Sequence, residues 1–312
     1  MKKEIQVMQS SVFCTVLSSK RLIQGIACIF SLYDNTDDFK LYILCVDEKC
    51  YDFMKKISFD KVILVNINEI NREDFEKLKN TRKLNQYCWT LKPGFIKYVM
   101  NSNHDIERVT YIDSDLFFLH NPNIIFENQP DVSVLLSDGK IFLPMYSKEF
   151  IHDIQDKTGN YNSGFISFKN DVNAFKCVEW WDKMCIESCT ATPEDNKFGD
   201  QKYLDDMPQI FSNIGEITTP GVNIGHWNYP RYRFTIAGDN ILVNNYELIC
   251  YHFSGFRIVS KYDIRQIHEQ DRINQPFIYD VYKKILRDII DEVEKIDPDF
   301  KEYMITNEIN SN

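Results

Sequence analysis

The sequence predicts an α/β fold in which a mixed, mostly parallel sheet is flanked by helices and followed by a C-terminal helical extension. Near-continuous apolar runs alternate with stretches of helical period in the first third of the chain. Strands covered by helices on both faces have this pattern. Beyond residue 270 the pattern changes to one long amphipathic helix, which predicts the extension.

Side-chain periodicity predicts the following elements. Strands are predicted at 12–17, 41–46, 61–67, 108–112, 132–136 and 164–168, and helices at 22–33, 171–188 and 277–296. No repeat and no linker rich in Gly, Pro or Ser divides the sequence. We therefore predict one domain over residues 1–270 and a helical extension over residues 271–312 that packs on it.

Composition and charge exclude several classes of protein. The 312 residues include 36 Lys and Arg against 46 Asp and Glu, so the net charge is -10. Such a chain lacks the basic surplus of a nucleic-acid-binding protein. The nine cysteines form no CxxC pair, which favours reduced core thiols.

The N-terminal residues lack the apolar segment of a signal peptide, and no run approaches the ~20 apolar residues of a spanning helix. The C-terminal amphipathic helix carries more acidic than basic side chains, which weakens attraction to anionic lipid. We expect a cytoplasmic protein with at most peripheral contact with the inner face of the membrane.

Two aspartates interrupt apolar sequence in "VTYIDSDLFFLHNP", residues 109–122. In extended backbone Asp113 and Asp115 point to the same side, beyond the carboxyl edge of strand 108–112, where open α/β sheets bind ligands. Two close carboxylates repel unless a proton or a cation lies between them. A divalent cation would resolve this conflict; the alternative is an acidic turn in solvent.

His252 in "YHFSGF" follows a probable strand. It is either a structural histidine or the third ligand of an Asp/Asp/His site, and an imidazole beside carboxylates suits Mn²⁺ better than Ca²⁺. Gly255 would let a backbone N–H approach a phosphate closely.

Three further stretches carry polar groups of interest. "YNSGFISF" places Asn162, Ser163 and Gly164 just ahead of a strand, as sugar contacts or as a plain turn. "FGDQKYLDD" places Asp200 and Gln201 at a helix start, where Asp is also a good N-cap. In "GVNIGHWNYPRYRF", Trp227 is either a wall of a sugar pocket or a core residue.

Together these motifs resemble the glycosyltransferases of the GT-A fold, most of all the family-8 group. The resemblance spans roughly residues 10–260 and rests on motifs in the order of that family: the strand with "DSD", "NSG" before a strand, "DQ", "WN" and "HFSG". It implies a Rossmann-like GT-A domain. It also implies a nucleoside-diphosphate sugar donor, usually a UDP-sugar, with Mn²⁺ or Mg²⁺, transfer with retention, and a saccharide or lipid-linked acceptor.

The resemblance also implies roles for individual residues. The metal ligands would be Asp113, Asp115 and His252. The donor-binding residues would be Asp113, Ser114, Asp115, Asn162, Ser163, Gly164, Lys92, Gly255 and Arg257. Gln201 and Asp200 would lie at the reacting face of the sugar as catalytic residues, and Trp227 and Asn228 would bind the acceptor.

The sequence departs from the family in three places. After the first strand it has "LSSKRL" instead of an Asp and a Tyr for the nucleoside. The Lys-Pro-Trp that often follows the His-x-x-Gly is missing, so Arg257 is the nearest cation. Lys92 and Lys97 lie where the family tends to have an Arg.

Two alternatives accompany this hypothesis. One is a sugar- or nucleotide-binding module without turnover. The other is a haloacid-dehalogenase-like phosphatase with Asp113 as the nucleophile, although that class usually has Thr or Val where this chain has Phe117. If transfer inverts the anomeric configuration, a carboxylate must act as base, and Asp200 is the candidate.

Overall fold

The computed structural model describes residues 11–103, 105–194, 196–268 and 276–305. The first ten residues of the predicted domain, and 271–275 and 306–312 of the predicted extension, lie outside these ranges. The strands of the central sheet are β1 (Ser11–Leu17), β2 (Phe39–Cys45), β3 (Val62–Asn66), β4 (Arg108–Ile112), β6 (Val134–Asp138), β7 (Tyr161–Lys169) and β8 (Ile214–Glu216).

The central sheet has the order β3-β2-β1-β4-β7-β6-β8. The first four strands in this order run parallel, β7 is antiparallel to both of its neighbours, and β8 is parallel to β6. This confirms the predicted mixed, mostly parallel sheet. Because β4 lies at the centre, its carboxyl end faces the crevice where such sheets bind ligands.

Helices cover both faces of the sheet. They are α1 (Leu22–Asn35), α2 (Glu48–Ile57), α3 (Glu73–Lys79), α4 (Leu84–Ser102), α5 (Asn123–Asn128), α6 (Lys148–Thr158), α7 (Val172–Glu187), α8 (Met207–Ile210) and α9 (Ile278–Ile296). Short 3₁₀ turns occupy Ser19–Arg21, Ile67–Glu69, Lys202–Asp205 and Tyr229–Arg231. Asp47 and Asp171 cap α2 and α7 by accepting hydrogen bonds from backbone N–H groups in the first turn.

Alternation along the strands separates two cores. In β1, Phe13 and Leu17 face a core shared with α1 and α9, whereas Cys14 and Val16 face a core shared with α4 and α7. This is the period of two that a sheet covered on both faces requires.

The C-terminal helix α9 is present and contributes to the first core. Leu286 and Ile290 are fully buried, and the ring of Tyr282 stacks on Phe253 at 3.7 Å between centroids. Within the described ranges, no helix combines the length and the apolar character needed to cross a membrane.

Smaller sheets complete the fold. Their strands are β5 (Leu116–Phe118), β9 (Ile224–Gly225), β10 (Phe234–Ala237), β11 (Asn240–Val243), β12 (Tyr246–Glu247), β13 (Cys250–His252), β14 (Phe256–Ser260) and β15 (Asp263–Gln266). In the sheet β5-β13-β9, His252 pairs with Leu116. This register brings the end of β13 beside the turn that follows β4.

Two local predictions were wrong. Asn162–Gly164 lie within β7 and not ahead of it, because Asn162 pairs with Ser137 of β6 across a β-bulge that extends the strand. Asp200 does not cap a helix: the 3₁₀ turn begins at Lys202, and the Asp200 side chain is turned toward Lys92 instead.

Candidate metal and donor site

The turn between β4 and β5 holds Asp113 and Asp115 in place through backbone hydrogen bonds. The Asp113 N–H donates to the Gly164 carbonyl at 2.7 Å, and the Leu116 N–H donates to the Asp113 carbonyl at 3.0 Å. The Phe253 N–H donates to the Asp115 carbonyl at 2.9 Å. Ser114, between the two aspartates, is buried. The backbone that carries the two aspartates is therefore fixed by β7 on one side and by the residue that follows β13 on the other.

His252 completes a three-residue cluster with the two aspartates. Its Nε2 lies 3.0 Å from Asp115 Oδ1 and 3.7 Å from Asp113 Oδ2. One ligand atom from each of the three residues lies within 4.8 Å of the others. The ring of His252 fits only because position 164 is glycine: a Cβ there would come within 2.3 Å of His252 Cε1.

Charge in this cluster favours a cation. Burial by itself would raise the pKa of Asp115, but His252 and the guanidinium groups of Arg21 and Arg257 hold that pKa below its ordinary range. The Asp115 carboxyl is thus ionised at neutral pH. Two carboxylate oxygens and an imidazole nitrogen are a donor set that fits a divalent metal ion.

Lys92 lies between two carboxylates and is only 2% exposed. Its Nζ is 2.9 Å from Asp113 Oδ1 and 3.1 Å from Asp200 Oδ2, and it is also 3.3 Å from Ser163 Oγ. Burial by itself would lower the pKa of Lys92, but the two aspartates raise it above its ordinary value. Burial raises the pKa of Asp200 against the effect of Lys92. Lys92 is therefore positively charged, and this charge allows the carboxylates of Asp113 and Asp200 to contact the same ammonium group.

Side-chain amides line the opposite side of His252. Gln201 Nε2 donates to the Thr158 carbonyl, Asn162 Nδ2 donates to Gln201 Oε1, and Asn223 Nδ2 donates to Asn162 Oδ1. Asn223 Oδ1 lies 3.1 Å from His252 Nδ1. Sequence reasoning missed Asn223, although it stands in the quoted "GVNIGHW" stretch.

The residues predicted to bind an acceptor are buried. Trp227 is 8% exposed, with its ring edge-on to His252 at 5.4 Å between centroids. Asn228 Oδ1 accepts the Gly225 N–H at 3.0 Å. Both residues support the wall behind His252, and contact with an acceptor stays a prediction for them.

Gly255 and two arginines lie beyond His252. Gly255 has a φ of +88°, and a Cβ there would approach Gln266 Oε1 to 2.4 Å, so glycine is required. Arg21 and Arg257 each donate from Nη1 to the Phe256 carbonyl, at 2.8 and 3.0 Å. Arg21 was not identified as a candidate from the sequence. The sequence indicated it only through the basic segment "LSSKRL" after the first strand, which departs from the family pattern.

Comparisons with known proteins agree with this architecture. No protein-family model matches the chain. It is 48% identical over 295 residues to the uncharacterized protein YfnF of Bacillus subtilis (strain 168), covering 94% of this chain and 97% of that protein. It is also 32% identical over 298 residues to the uncharacterized protein YfnD of the same organism, covering 94% of each.

Solved structures show the same fold. The galactosyltransferase LgtC, in complex with donor and acceptor sugar analogs, aligns with a TM-score of 0.55 and 11% identity, covering 89% of this chain and 95% of that chain. An active-site mutant of LgtC aligns with a TM-score of 0.52 and 11% identity, covering 88% and 94%. The chain has the GT-A glycosyltransferase fold.

Proposed function

This chain belongs to the family of the Bacillus subtilis proteins YfnF and YfnD, and we propose that it is a metal-dependent glycosyltransferase. It would move a sugar from a nucleoside-diphosphate donor to a saccharide or glycolipid acceptor. The observation that carries the proposal is the cluster of Asp113, Asp115 and His252 beyond the carboxyl end of β4 in a GT-A fold. The resemblance to family 8 favours a UDP-sugar and transfer with retention.

Mn²⁺, or Mg²⁺ in its place, would be held by these three side chains and would neutralise charge on the diphosphate of the donor. Arg21 and Arg257 add positive charge near Asp115, where the Lys-Pro-Trp lysine of the family is missing. This charge matters because the bond from the anomeric carbon to the diphosphate breaks with both electrons leaving on the phosphate oxygen.

Asp200 and Gln201 are proposed to face the reacting sugar. The Asp200 carboxylate is ion-paired with Lys92, and both amide atoms of Gln201 are hydrogen-bonded. Contact with the sugar therefore requires these groups to share or exchange their present partners. Under inversion Asp200 would be the base that takes the acceptor proton. Under retention Asp200 and Gln201 would stabilise the oxocarbenium-like sugar on the face opposite the leaving group.

The biological role that fits this proposal is cell-surface glycan or polysaccharide synthesis at the cytoplasmic face of the membrane. The support for this role is analogy with the family-8 enzymes that the motifs resemble.

The decisive experiment is a sugar-transfer assay with a panel of nucleoside-diphosphate sugars, with and without Mn²⁺. D113A, D115A and H252A should each lower metal-dependent transfer or donor hydrolysis by on the order of 100-fold, because several kcal/mol of charge stabilisation depends on the site. The controls are H152A and D153A, since His152 and Asp153 have exposed side chains on α6. Near-full metal-dependent activity in the three site variants would contradict the proposal.

The same assay separates the alternatives. Donor binding without transfer or hydrolysis would indicate a binding module. Release of phosphate from simple monoesters that is lost in D113A would indicate a phosphatase.

A further inference from the structure

The Asn223 side chain is fully buried and links the His252 ring to a chain of amides. Asn223 does not belong to the predicted set of site residues, whereas Asn162 and Gln201 were predicted as donor-binding and catalytic residues and not as partners of His252. We propose that the chain Gln201–Asn162–Asn223 fixes the tautomer of His252, so that the Nε2 lone pair points at Asp113 and Asp115. The inference rests on the proposed metal-dependent function and concerns how this protein prepares its imidazole ligand.

The direction of the chain is set at both ends by groups that cannot reverse. The Thr158 carbonyl can only accept, so the Gln201 atom facing it at 2.9 Å is the NH₂ group. The Gly164 N–H can only donate, so the Asn162 atom facing it at 2.9 Å is the oxygen. The two ends require the same orientation of Asn162, because its NH₂ then donates to Gln201 Oε1 at 3.0 Å.

The orientation of the Asn162 amide determines that of the Asn223 amide, which contacts His252. Asn162 Oδ1 accepts at 2.9 Å, which makes the facing Asn223 atom its NH₂ group. Asn223 therefore presents its oxygen to His252 Nδ1, and a carboxamide oxygen can only accept. The proton of the neutral imidazole lies on Nδ1.

The consequence for the site is at Nε2, which lies 3.0 Å from Asp115 Oδ1. With Nδ1 protonated, Nε2 carries a lone pair that faces a carboxylate oxygen. These two groups can be stable neighbours only with a proton or a cation between them. The amide chain thus makes His252 a ready metal ligand, in the way that partners of the second nitrogen orient metal-binding imidazoles.

The backbone at Asn223 allows a clean test. Its φ is +53°, in the left-handed region that Gly, Asn and Asp tolerate. Asn223→Gly removes the side chain without adding strain, and Asn223→Asp keeps an oxygen acceptor for Nδ1–H. Asn244 is a matched control, because it has a φ of +51° and accepts the Arg233 N–H on the outer β10-β11-β12 sheet.

The experiment measures Mn²⁺ affinity of the full-length protein by electron paramagnetic resonance, with no nucleotide or sugar present. N223G should bind Mn²⁺ about 10- to 100-fold more weakly, the usual cost of losing such a partner. N223D should bind clearly more tightly than N223G, and N244G should match the parent. N162A should fall between N223G and the parent, because without Asn162 the Asn223 amide is free to rotate.

A second readout reports the tautomer directly. In protein loaded with diamagnetic Zn²⁺ and labelled with ¹⁵N-histidine, the parent should show His252 with protonated Nδ1, identified by its loss in H252A. N162A and N223G should lose this single form. N223G binding Mn²⁺ like the parent, or N223D binding as weakly as N223G, would overturn the proposal. Should N223G fail to fold, N162A takes its place in this comparison. N223D binding Mn²⁺ as weakly as N162A would then overturn the proposal.

The experiments distinguish a failure of the proposed function from a failure of the proposed amide chain. Mn²⁺ binding in the expected order without any sugar transfer would contradict the proposed function and support the amide chain. Metal-dependent transfer with unchanged Mn²⁺ binding in N223G would support the proposed function and contradict the proposed role of the amide chain.

Discussion

Two cations of this protein, the partly buried Arg72 and the buried Lys92, each pair with two carboxylates but in different geometries. Arg72 Nη1 lies 2.7 and 3.0 Å from the two oxygens of Asp182, and its Nε and Nη2 donate to Asp74 at 3.0 and 2.6 Å. Lys92 lies between Asp113 and Asp200 with a single ammonium group. In the arginine cluster Asp74 accepts two hydrogen bonds from the forked guanidinium, whose geometry matches a carboxylate, whereas Asp182 accepts from Nη1 alone.

The two carboxylates beside Lys92 differ in their exposure to solvent. Asp113 Oδ1 is shared by Lys92 and the Tyr111 hydroxyl, and the Asp113 side chain is 23% exposed. Asp200 is buried, and its Oδ2 lies 3.1 Å from Lys92 Nζ, with which it forms an ion pair. Arg72 thus forms a structural cluster with two carboxylates that are not proposed ligands, whereas Lys92 links the partly exposed Asp113 to the buried Asp200.

Replacing Lys92 should have the largest effect. K92M would leave the buried Asp200 without a counter-charge and should lower the free energy of unfolding by about 3–5 kcal/mol. Because Lys92 is the partner of a proposed metal ligand, Mn²⁺ affinity should also fall about 10-fold or more. Urea denaturation and Mn²⁺ titration measure the two effects. K92R is the matched variant that keeps the charge; a K92M protein with parental stability and Mn²⁺ affinity would remove the distinction between the two clusters.

Replacing Arg72 should affect stability alone. R72M strands Asp182, whose side chain is 8% exposed, and should cost about 2–4 kcal/mol in urea denaturation. The Mn²⁺ affinity of the folded R72M protein should equal that of the parent, because the Arg72 cluster contains none of the proposed ligands. Weakened Mn²⁺ binding in R72M would show that the two clusters are coupled.

The smallest effect is expected at Asp74. D74N keeps the shape of the side chain but removes a charge whose carboxylate is 39% exposed. Exposed ion pairs contribute about 0–1 kcal/mol, so D74N should lie within this range of the parent in the same denaturation experiment. A loss as large as that of R72M would mean that Asp74, and not Asp182, is the main partner of Arg72.

Much of the fold could be predicted from the sequence because it depends on local periodicity. Strand 108–112 and helix α1 follow from side-chain patterns that repeat within one element. The sequence also singled out Asp113 and Asp115, since two carboxylates in an apolar stretch need an explanation. It could not show that Asn162–Gly164 belong to β7, because a β-bulge depends on the partner strand.

By itself, the sequence determined an α/β chain with a helical C-terminal element, two aspartates at the end of a buried strand, and a histidine before a Ser-Gly turn. The tertiary structure alone decided which groups meet. Asp115 and His252 are 137 positions apart and come together through the pairing of β5 with β13. Lys92 between Asp113 and Asp200, and Asn223 behind His252, likewise depend on packing between distant segments. Side-chain patterns encode which face of an element is buried, whereas contacts between elements depend on register and packing that no local pattern records.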